Sequence, residues 1–430
     1  MQVIVTAPMD TAAQAATLRA MTDFPRARFL DRRTPPHIFT LTLLAGVSAL
    51  NMSIFLPSLT RMAADFGTDY ATMQFAVSGY LAATAVMQII VGPLSDRFGR
   101  RKIVLTSITI FIAATLGAYL APTIQLFLMF RILQAAVATG IVLSRAIVRD
   151  MFGAEQSASM IGYVTMGMAL IPMIGPTIGG ALDQAFGWHA SFIFLMGAGV
   201  FLWLLCYFDQ GETVRGGGTG FAEQLTSYPA LLTAPRFWGY ALCTAFASGS
   251  FFAFLGGASY VADRIYGLSA FQTGIALGAP AIGYAIGNGI SGRYSVRVGI
   301  NRMVLIGCLI SAFGMGLSLI LGLVTVIPAG LLFGLCSLLG LGNGMTLPNA
   351  IAGLLSVRPN LAGTASGLGG ALMIGGGAAL SQLAGVLLAR GTTAMPLQAL
   401  MLVSALLAIA AIMFVMVREK RLSAGLSVAP

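Results

Sequence analysis

The sequence is poor in charge, in acidic groups and in the residues that hold metals. Only 9% of the 430 residues are Asp, Glu, Lys or Arg, with 14 acidic residues and two histidines. Soluble domains carry about a quarter charged residues, so the composition excludes an ordinary soluble protein. The four cysteines stand singly inside apolar runs, so we predict neither a disulfide framework nor a metal site.

The shortage of polar chemistry also argues against an enzyme. A catalytic site inside a membrane needs grouped nucleophiles or titratable groups, and no such group lies in the middle of an apolar run. No Gly-rich loop opens a polar helix in the way a phosphate-binding loop does, so we predict no cofactor and no ATP-driven step.

Long apolar segments are abundant, since 57% of residues are hydrophobic and the mean hydropathy is +0.88. Several runs reach the roughly 20 residues that a helix needs to cross a bilayer, and the alternating ten-residue strands of a membrane barrel are missing. We predict an all-α membrane protein with twelve transmembrane helices in two parallel six-helix repeats. The predicted spans are 37–59, 71–94, 103–121, 123–148, 159–182, 190–208, 237–261, 271–292, 303–324, 328–356, 364–389 and 396–417.

Positive charge is distributed unevenly between the two predicted faces. Most of the 24 Lys and Arg fall in the termini and the loops after even-numbered spans, against Arg61, Arg264 and Arg390 on the other face. The positive-inside rule places both termini in the cytoplasm, so the net charge of +10 indicates membrane topology and a lipid partner, not nucleic acid. The predicted segments are a tail (1–36), a first half (37–208), a linker (209–236), a second half (237–417) and a second tail (418–430).

One charged loop occurs twice. The stretch Gly92–Lys102 lies between two apolar runs and is matched 200 positions later by Gly292–Arg302. The shared positions indicate an internal duplication, and they are Gly92, Ser95, Arg97, Gly99, Val104, Leu105 and, as a basic residue, Lys102.

These features resemble the major facilitator superfamily, in which two repeats enclose a substrate site near the midplane. The Gly92–Lys102 loop fits its signature after the second helix. Arg131-Ile132-Leu133-Gln134 resembles its Arg-x-x-Gln motif, and Gly175-Pro176-Thr177-Ile178-Gly179-Gly180 resembles its antiporter motif. Smaller matches at Ile54–Leu59, Arg149-Asp150 and Leu347–Ala350 resemble the bicyclomycin/chloramphenicol-resistance (Bcr/CflA) group.

The resemblance implies a conformational latch on the cytoplasmic side. Asp96 would face the N-terminus of the eleventh helix, and the loop arginines would pair with Asp150. These contacts would hold the outward-facing state and break when the cytoplasmic side opens. The predicted latch residues are Gly92, Asp96, Arg97, Gly99, Arg100, Arg101 and Asp150. The alternative is a cluster that only sets topology and binds anionic lipid.

The small residues Gly175, Pro176, Gly179 and Gly180 predict a close, leak-resistant contact between the two halves. Ordinary small-residue packing is the alternative.

Arg131 is a charge inside a span and therefore a candidate site residue, with Gln134 on nearly the same face. The resemblance places Arg131 in the central cavity and in proton coupling; a structural arginine that reaches the membrane surface is the alternative. Polar groups predicted to bind substrate or take part in coupling are Arg131, Gln134, Asn51, Ser53, Gln74, Tyr80 and Asn349, with Gln88, Asn288 and Asn343 as further lining candidates.

The sequence departs from the group at one position, because Ser53 stands where a first-helix carboxylate is expected. Proton coupling then falls to Asp96 or Asp150, to protons carried by the substrate, or is absent. With Arg131 as the cavity's fixed charge, neutral and anionic compounds are expected to be better substrates than cationic ones.

We predict a monomeric bacterial inner-membrane exporter of small, partly hydrophobic compounds by proton-coupled alternating access. A metabolite or organic-anion carrier of the same fold is the alternative. A sensor that has lost transport is less favoured, because the sequence offers no long soluble domain.

Overall fold

The structure is a computed structural model. All secondary-structure elements of the described residues are helices. The structure describes residues 27–152, 174–213, 231–358, 361–389 and 392–426, with the single positions 160, 164, 171 and 229.

Ten helices of the described residues are long and apolar enough to cross a membrane. A further helix of 29 residues also exceeds the bilayer's requirement, although its many small residues lower its hydropathy. Residues 174–186 are helical as well. In chain order the helices are α1 Ile38–Asp65, α2 Tyr70–Phe98, α3 Arg100–Tyr119, α4 Ile124–Met151, α5 174–186, α6 His189–Asp209, α7 Pro235–Ile265, α8 Ala270–Val298, α9 Ile300–Val324, α10 Ala329–Ser356, α11 Ala362–Leu388 and α12 Met395–Leu426.

The predicted all-α, twelve-helix class is confirmed. Eleven predicted spans overlap their helices; most ends agree within about four residues, and α1, α8 and α12 extend six to nine residues further than predicted. Half of the fifth predicted span, 159–182, falls outside the described residues. The tails and linker include 1–26, 214–228 and 427–430, which also lie outside, so the segment boundaries stay predictions.

The described end of the N-terminal tail packs on the end of α6 and does not hang free. The Asp209 carboxylate, which is fully buried, accepts hydrogen bonds from Leu30 N (2.6 Å), His37 N (2.8 Å) and Thr40 Oγ1 (2.7 Å). Charge-assisted bonds of this kind are about twice as strong as neutral ones. The start of α1 and the end of the predicted tail are therefore fixed to the end of α6.

Helices α1 and α4 are each interrupted by a 3-10 turn. In α1 the α-helical part ends at Ser53, and a 3-10 turn covers Leu56–Ser58, where Pro57 has no N–H to donate. In α4 a 3-10 turn at Gln134–Ala138 separates two α-helical parts. These breaks place Asn51 of α1 beside Arg131 of α4.

Among the described residues, the first six helices meet the last six where α1 contacts α7 and α8, α2 contacts α11, and α5 contacts α8. A large buried core runs through these contacts and includes Phe55, Tyr80, Phe252 and Phe254. The helix pairs leave a space between the two groups of helices, and that space contains the candidate site.

Candidate functional site

A cavity of about 820 Å³ lies between the first six and the last six helices. It reaches the end of the molecule that carries Arg97, Arg100 and Arg149, which we name the basic end. Its volume is within the range of small-molecule sites. Apolar lining residues are Met52, Leu81, Phe251, Phe252, Met373 and Ile374, and polar ones are Ser48, Tyr80, Thr84, Gln88, Asp96, Arg100, Arg145, Arg149, Thr244, Ser248, Tyr284, Asn343, Thr364 and Ser366.

The opposite end is closed by hydrogen bonds between the two groups of helices. These bonds join the two groups of helices at short distances, and none of the residues that form them lines the cavity. The bonds are Tyr70 Oη to Gly256 O (2.7 Å), Gln74 Nε2 to Ser381 Oγ (2.8 Å), Ser78 Oγ to Gln382 Oε1 (2.7 Å) and Ser259 Oγ to Leu56 O (2.5 Å).

The small residues of the antiporter-like motif divide between two contacts. A Cβ at Gly175 would lie 2.7 Å from Ser53 Oγ, and one at Gly179 would collide with the carbonyl of Ile54, both on α1. Gly180 instead packs on the carbonyl of Ala270 in α8, and Gly274 of α8 packs on the carbonyl of Pro176. The motif thus packs α5 on α1 as well as against the other half.

Arg131 is enclosed by neutral acceptors and two aromatic rings. Its Nη1 donates to Asn51 Oδ1 (3.1 Å) and Gln134 Oε1 (2.5 Å), and its Nε donates to Ala76 O (3.3 Å). Its guanidinium carbon lies 4.1 Å from the Phe55 ring centre and 5.0 Å from that of Tyr80. Cation–π contacts and hydrogen bonds offset the cost of burying this charge.

The expectation that Arg131 supplies the fixed charge of the cavity is not what this conformation shows. Arg131, Gln134 and Asn51 are fully buried and lie outside the cavity lining, whereas Tyr80 lines it. The Tyr80 hydroxyl donates to Ser48 O at 3.2 Å, which holds its ring between Arg131 and the cavity.

The other predicted polar residues also lie in packed surroundings. Ser53 Oγ donates to Ala49 O (3.4 Å), and Gln74 belongs to the closed end. Asn349 Nδ2 donates to Ser291 Oγ (2.7 Å) and Met345 O (2.8 Å) within the second six helices. Of the further candidates, Gln88 and Asn343 line the cavity.

The predicted latch residues form an ion-pair cluster at the cavity mouth. Arg100 Nη1 lies 2.5 Å from Asp96 Oδ1, and Arg100 Nε lies 3.1 Å from Asp150 Oδ2. Arg100 also donates to Ser95 Oγ. The expected contact of Asp96 with the start of α11 is absent among the described residues, because Asp96 and Thr364 of α11 both face the open cavity. This is the arrangement expected once the basic end has opened.

The remaining predicted latch residues make other contacts. Arg97 is exposed, and its guanidinium lies 5.3 Å from the Phe98 ring centre. Arg101 donates to Tyr207 O at 2.9 Å. Gly92 lines the cavity, and Gly99 adopts φ +93°, a conformation suited to glycine.

Sequence reasoning missed Glu212 and Arg145. The Glu212 carboxylate accepts hydrogen bonds from Arg100 N (2.9 Å) and Arg101 N (3.2 Å) at the positive end of α3. No sequence signal pointed to it. Arg145 lines the cavity. Its position inside the predicted span 123–148 could have marked it as a candidate site residue, but the sequence analysis counted it among the charges that set the topology.

The fold and the central cavity define a membrane transporter built from two groups of six helices. Residues 41–382 match the profile of the Major Facilitator Superfamily. The chain belongs to this family, so it is a transporter of small molecules and not an enzyme.

Bacterial transporters are similar to this chain over most of its length. An uncharacterized MFS-type transporter, YdgK, of Bacillus subtilis is 31% identical and aligned over 86% of this chain and 92% of its own length. Multidrug resistance protein D of Escherichia coli is 29% identical over 81% and 88%. A bicyclomycin resistance protein homolog of Haemophilus influenzae is 27% identical over 80% and 88%.

A solved structure shares the fold. It is a bacterial homolog of the human lysosomal transporter Spinster, inward-facing and unoccupied, with a TM-score of 0.65, 16% identity and coverage of 88% of this chain and 94% of that one.

Proposed function

We propose that this protein exports small, partly hydrophobic compounds, including antibiotics, across the bacterial inner membrane by alternating access. The observation that carries the proposal is the central cavity of about 820 Å³, with apolar walls, polar groups and an opening at the basic end. The names of the relatives, which include multidrug and bicyclomycin resistance proteins, support the drug class.

The proposed orientation has the basic end and both termini in the cytoplasm. Its support is the concentration of Lys and Arg at this end. The cavity is then loaded from the cytoplasm, and release requires the hydrogen-bonded end to open while the basic end closes. The protein acts in this scheme as a monomer, since each chain contains a whole cavity.

The proposed energy source is the proton gradient, with no organic cofactor. Asp96 lines the cavity mouth and pairs with Arg100, so protonation of Asp96 would release Arg100 for a different set of partners. Asp150 is the second candidate carboxylate, because it shares the same arginine.

Transport in liposomes tests this function. Purified protein would be reconstituted with an imposed pH gradient, with labelled chloramphenicol as the probe and a pH-sensitive dye to follow protons. We expect uphill chloramphenicol movement together with proton flux. Chloramphenicol movement without proton flux would contradict the coupling and leave export standing.

A matched pair of variants links transport to the cavity. Met373 lines the cavity, whereas Met413 is an exposed apolar residue of α12. We expect Met373→Trp to fill the cavity and reduce transport at least about tenfold, and Met413→Trp to transport normally. Equal transport by both variants would show that this cavity is not the path.

A further inference from the structure

Two arginines lie one helical turn apart on α4 and face the cavity without a counter-charge. Arg145 and Arg149 both line it. Within the described part of the chain, neither side chain forms an ion pair or donates a hydrogen bond. Arg145 stands four residues, or about 6 Å of helix, deeper than Arg149.

The nearby carboxylates are already engaged. Asp96 pairs with Arg100, and Asp150 pairs with Arg100 and accepts a hydrogen bond from Thr213 Oγ1 at 3.0 Å. An arginine inside a span is costly unless a partner compensates for its lost hydration. Arg131 has such partners around its guanidinium, whereas Arg145 has none among the described residues. Arg149, which is exposed near the end of α4, adds a second positive charge to the cavity lining.

The wall opposite the arginines offers polar groups from the other half. Tyr284 of α8 and Asn343 of α10 both line the cavity. Phe251 and Phe252 of α7 supply an apolar surface in the same cavity. A ligand placed here would touch both halves at once, with its charged end near α4 and its apolar body against α7.

We propose that Arg145 and Arg149 bind the acidic group of the substrate, and that the preferred substrates are small amphiphilic organic carboxylates. The inference rests on the proposed transport function and specifies its substrate class. A carboxylate matches the forked donors of a guanidinium, and the resulting charge-assisted bonds are among the strong ones in proteins. The aromatic wall would hold the remaining apolar part of the molecule.

A pair of probes with one skeleton tests the inference. Chloramphenicol is neutral, and chloramphenicol hemisuccinate carries a carboxylate. Equilibrium binding of both would be measured on the full chain in nanodiscs. We expect the hemisuccinate to bind at least about tenfold more tightly than chloramphenicol to the wild type, and Arg145→Met to remove that preference, measured as the ratio of the two affinities.

Arg293→Met is the matched control. Arg293 is exposed on α8 at the same end of the molecule and lies outside the cavity lining. The Arg293→Met variant lowers the net charge of the protein by the same amount as Arg145→Met, so we expect this variant to keep the preference for the hemisuccinate. Arg145→Lys, which keeps the charge without the fork, should retain an intermediate preference.

The outcomes separate this inference from the proposed function. Equal affinity of the wild type for both probes would overturn the carboxylate site while leaving export of neutral compounds intact. Equal loss of preference in Arg145→Met and Arg293→Met would also overturn it, because the effect would then come from the general positive field. Failure of both probes to bind would overturn the proposed function and this inference together.

Discussion

The two copies of the charged loop share a backbone and differ in nearly every side-chain contact. Gly99 has φ 93° and ψ 143°, and Gly299 has φ 89° and ψ 145°. Each glycine ends one helix and begins the next without an intervening residue. The duplicated glycine therefore reproduces the same reversal of the chain in both halves.

The side chains around the two turns follow different plans. In the first copy, Arg100 joins Asp96 and Asp150 in one charged cluster. In the second copy, Val296 stands in place of Asp96 and is 95% exposed, and Ile300 stands in place of Arg100.

Near the second turn, neutral side chains form hydrogen bonds with one another. Asn349 donates to Ser291 Oγ at 2.7 Å, and Ser291 Oγ lies 3.1 Å from Ser295 Oγ. This chain of an amide and two hydroxyls connects α10 with α8 and carries no charge.

The two loop copies also differ in their position relative to the cavity. Asp96 and Arg100 of the first copy line the mouth, whereas no residue of 292–302 does so. An acidic residue forms a pair in the first copy, and an apolar residue stands at the same position in the second. The comparison teaches that glycine specifies the turn, and that the cluster of Asp96, Arg100 and Asp150 is a separate feature of the first copy. Among the described residues, the nearest ion pair to the second copy is of another kind, since Asn301 donates to Glu419, which pairs with Arg236.

The largest expected effect comes from breaking the first cluster. Arg100 is 11% exposed, and its removal leaves Asp96 and Asp150 without their shared cation. We expect Arg100→Ala to lower the free energy of unfolding by about 3 kcal/mol. Thermal unfolding in detergent measures this loss.

The matching change in the second copy serves as the control. Ile300 is 39% exposed and belongs to no charge cluster, so Ile300→Ala should cost about 0.5 kcal/mol or less. Similar losses for the two variants would mean that the cluster does not stabilise this conformation.

A smaller effect is expected at the two glycines. A side chain at either φ is strained by about 1–3 kcal/mol. At Gly99 a Cβ would also lie 2.5 Å from Glu212 Oε2, whereas at Gly299 it would meet nothing within 4 Å. We therefore expect Gly99→Ala to unfold at a lower temperature than Gly299→Ala.

Removing the obstructing carboxylate sharpens that test. Glu212→Ala deletes the atoms in conflict, so Gly99→Ala should cost less in the Glu212→Ala background than in the wild type. Independent, additive losses would show that the contact with Glu212 does not explain the difference.

The fold could be predicted from the sequence because the length of an apolar segment indicates directly whether it can span a membrane. The runs of about 20 residues and the repeated glycine loop are local signals, and they led to most helix ends within a few residues of those observed. The break in α1 at Pro57 is equally local, since proline removes a helix donor.

The candidate site was harder to predict, because the sequence does not show which face of each helix lines the cavity. Arg131 and Arg145 are both arginines in the same helix, and only the fold shows that one lies behind Tyr80 and the other lines the cavity. Glu212 contacts α3 from 112 positions away, and no short-range pattern predicts such a pairing.

The smallest expected effect concerns the start of the second helix in each half. Asp69 Oδ1 accepts Thr72 N at 2.8 Å, and Oδ2 accepts Thr72 Oγ1 at 2.8 Å. The bonds to Thr72 hold the pKa of Asp69 below its ordinary value of 3.8. The equivalent cap 200 positions later is Ser269, which accepts Gln272 N at 3.3 Å and does not titrate.

Because the folded pKa of Asp69 is depressed, its cap contributes stability above the ordinary pKa and loses it as the pH falls through the folded value. We expect Asp69→Ser, which copies the second-half cap, to reduce the acid-induced fall in melting temperature slightly, and Ser269→Asp to increase it slightly. Melting scans at stepped pH from neutral to below 3.8 measure both changes. If both variants follow the wild-type pH profile, the two caps are equivalent, and the asymmetry between the halves is confined to the cavity mouth.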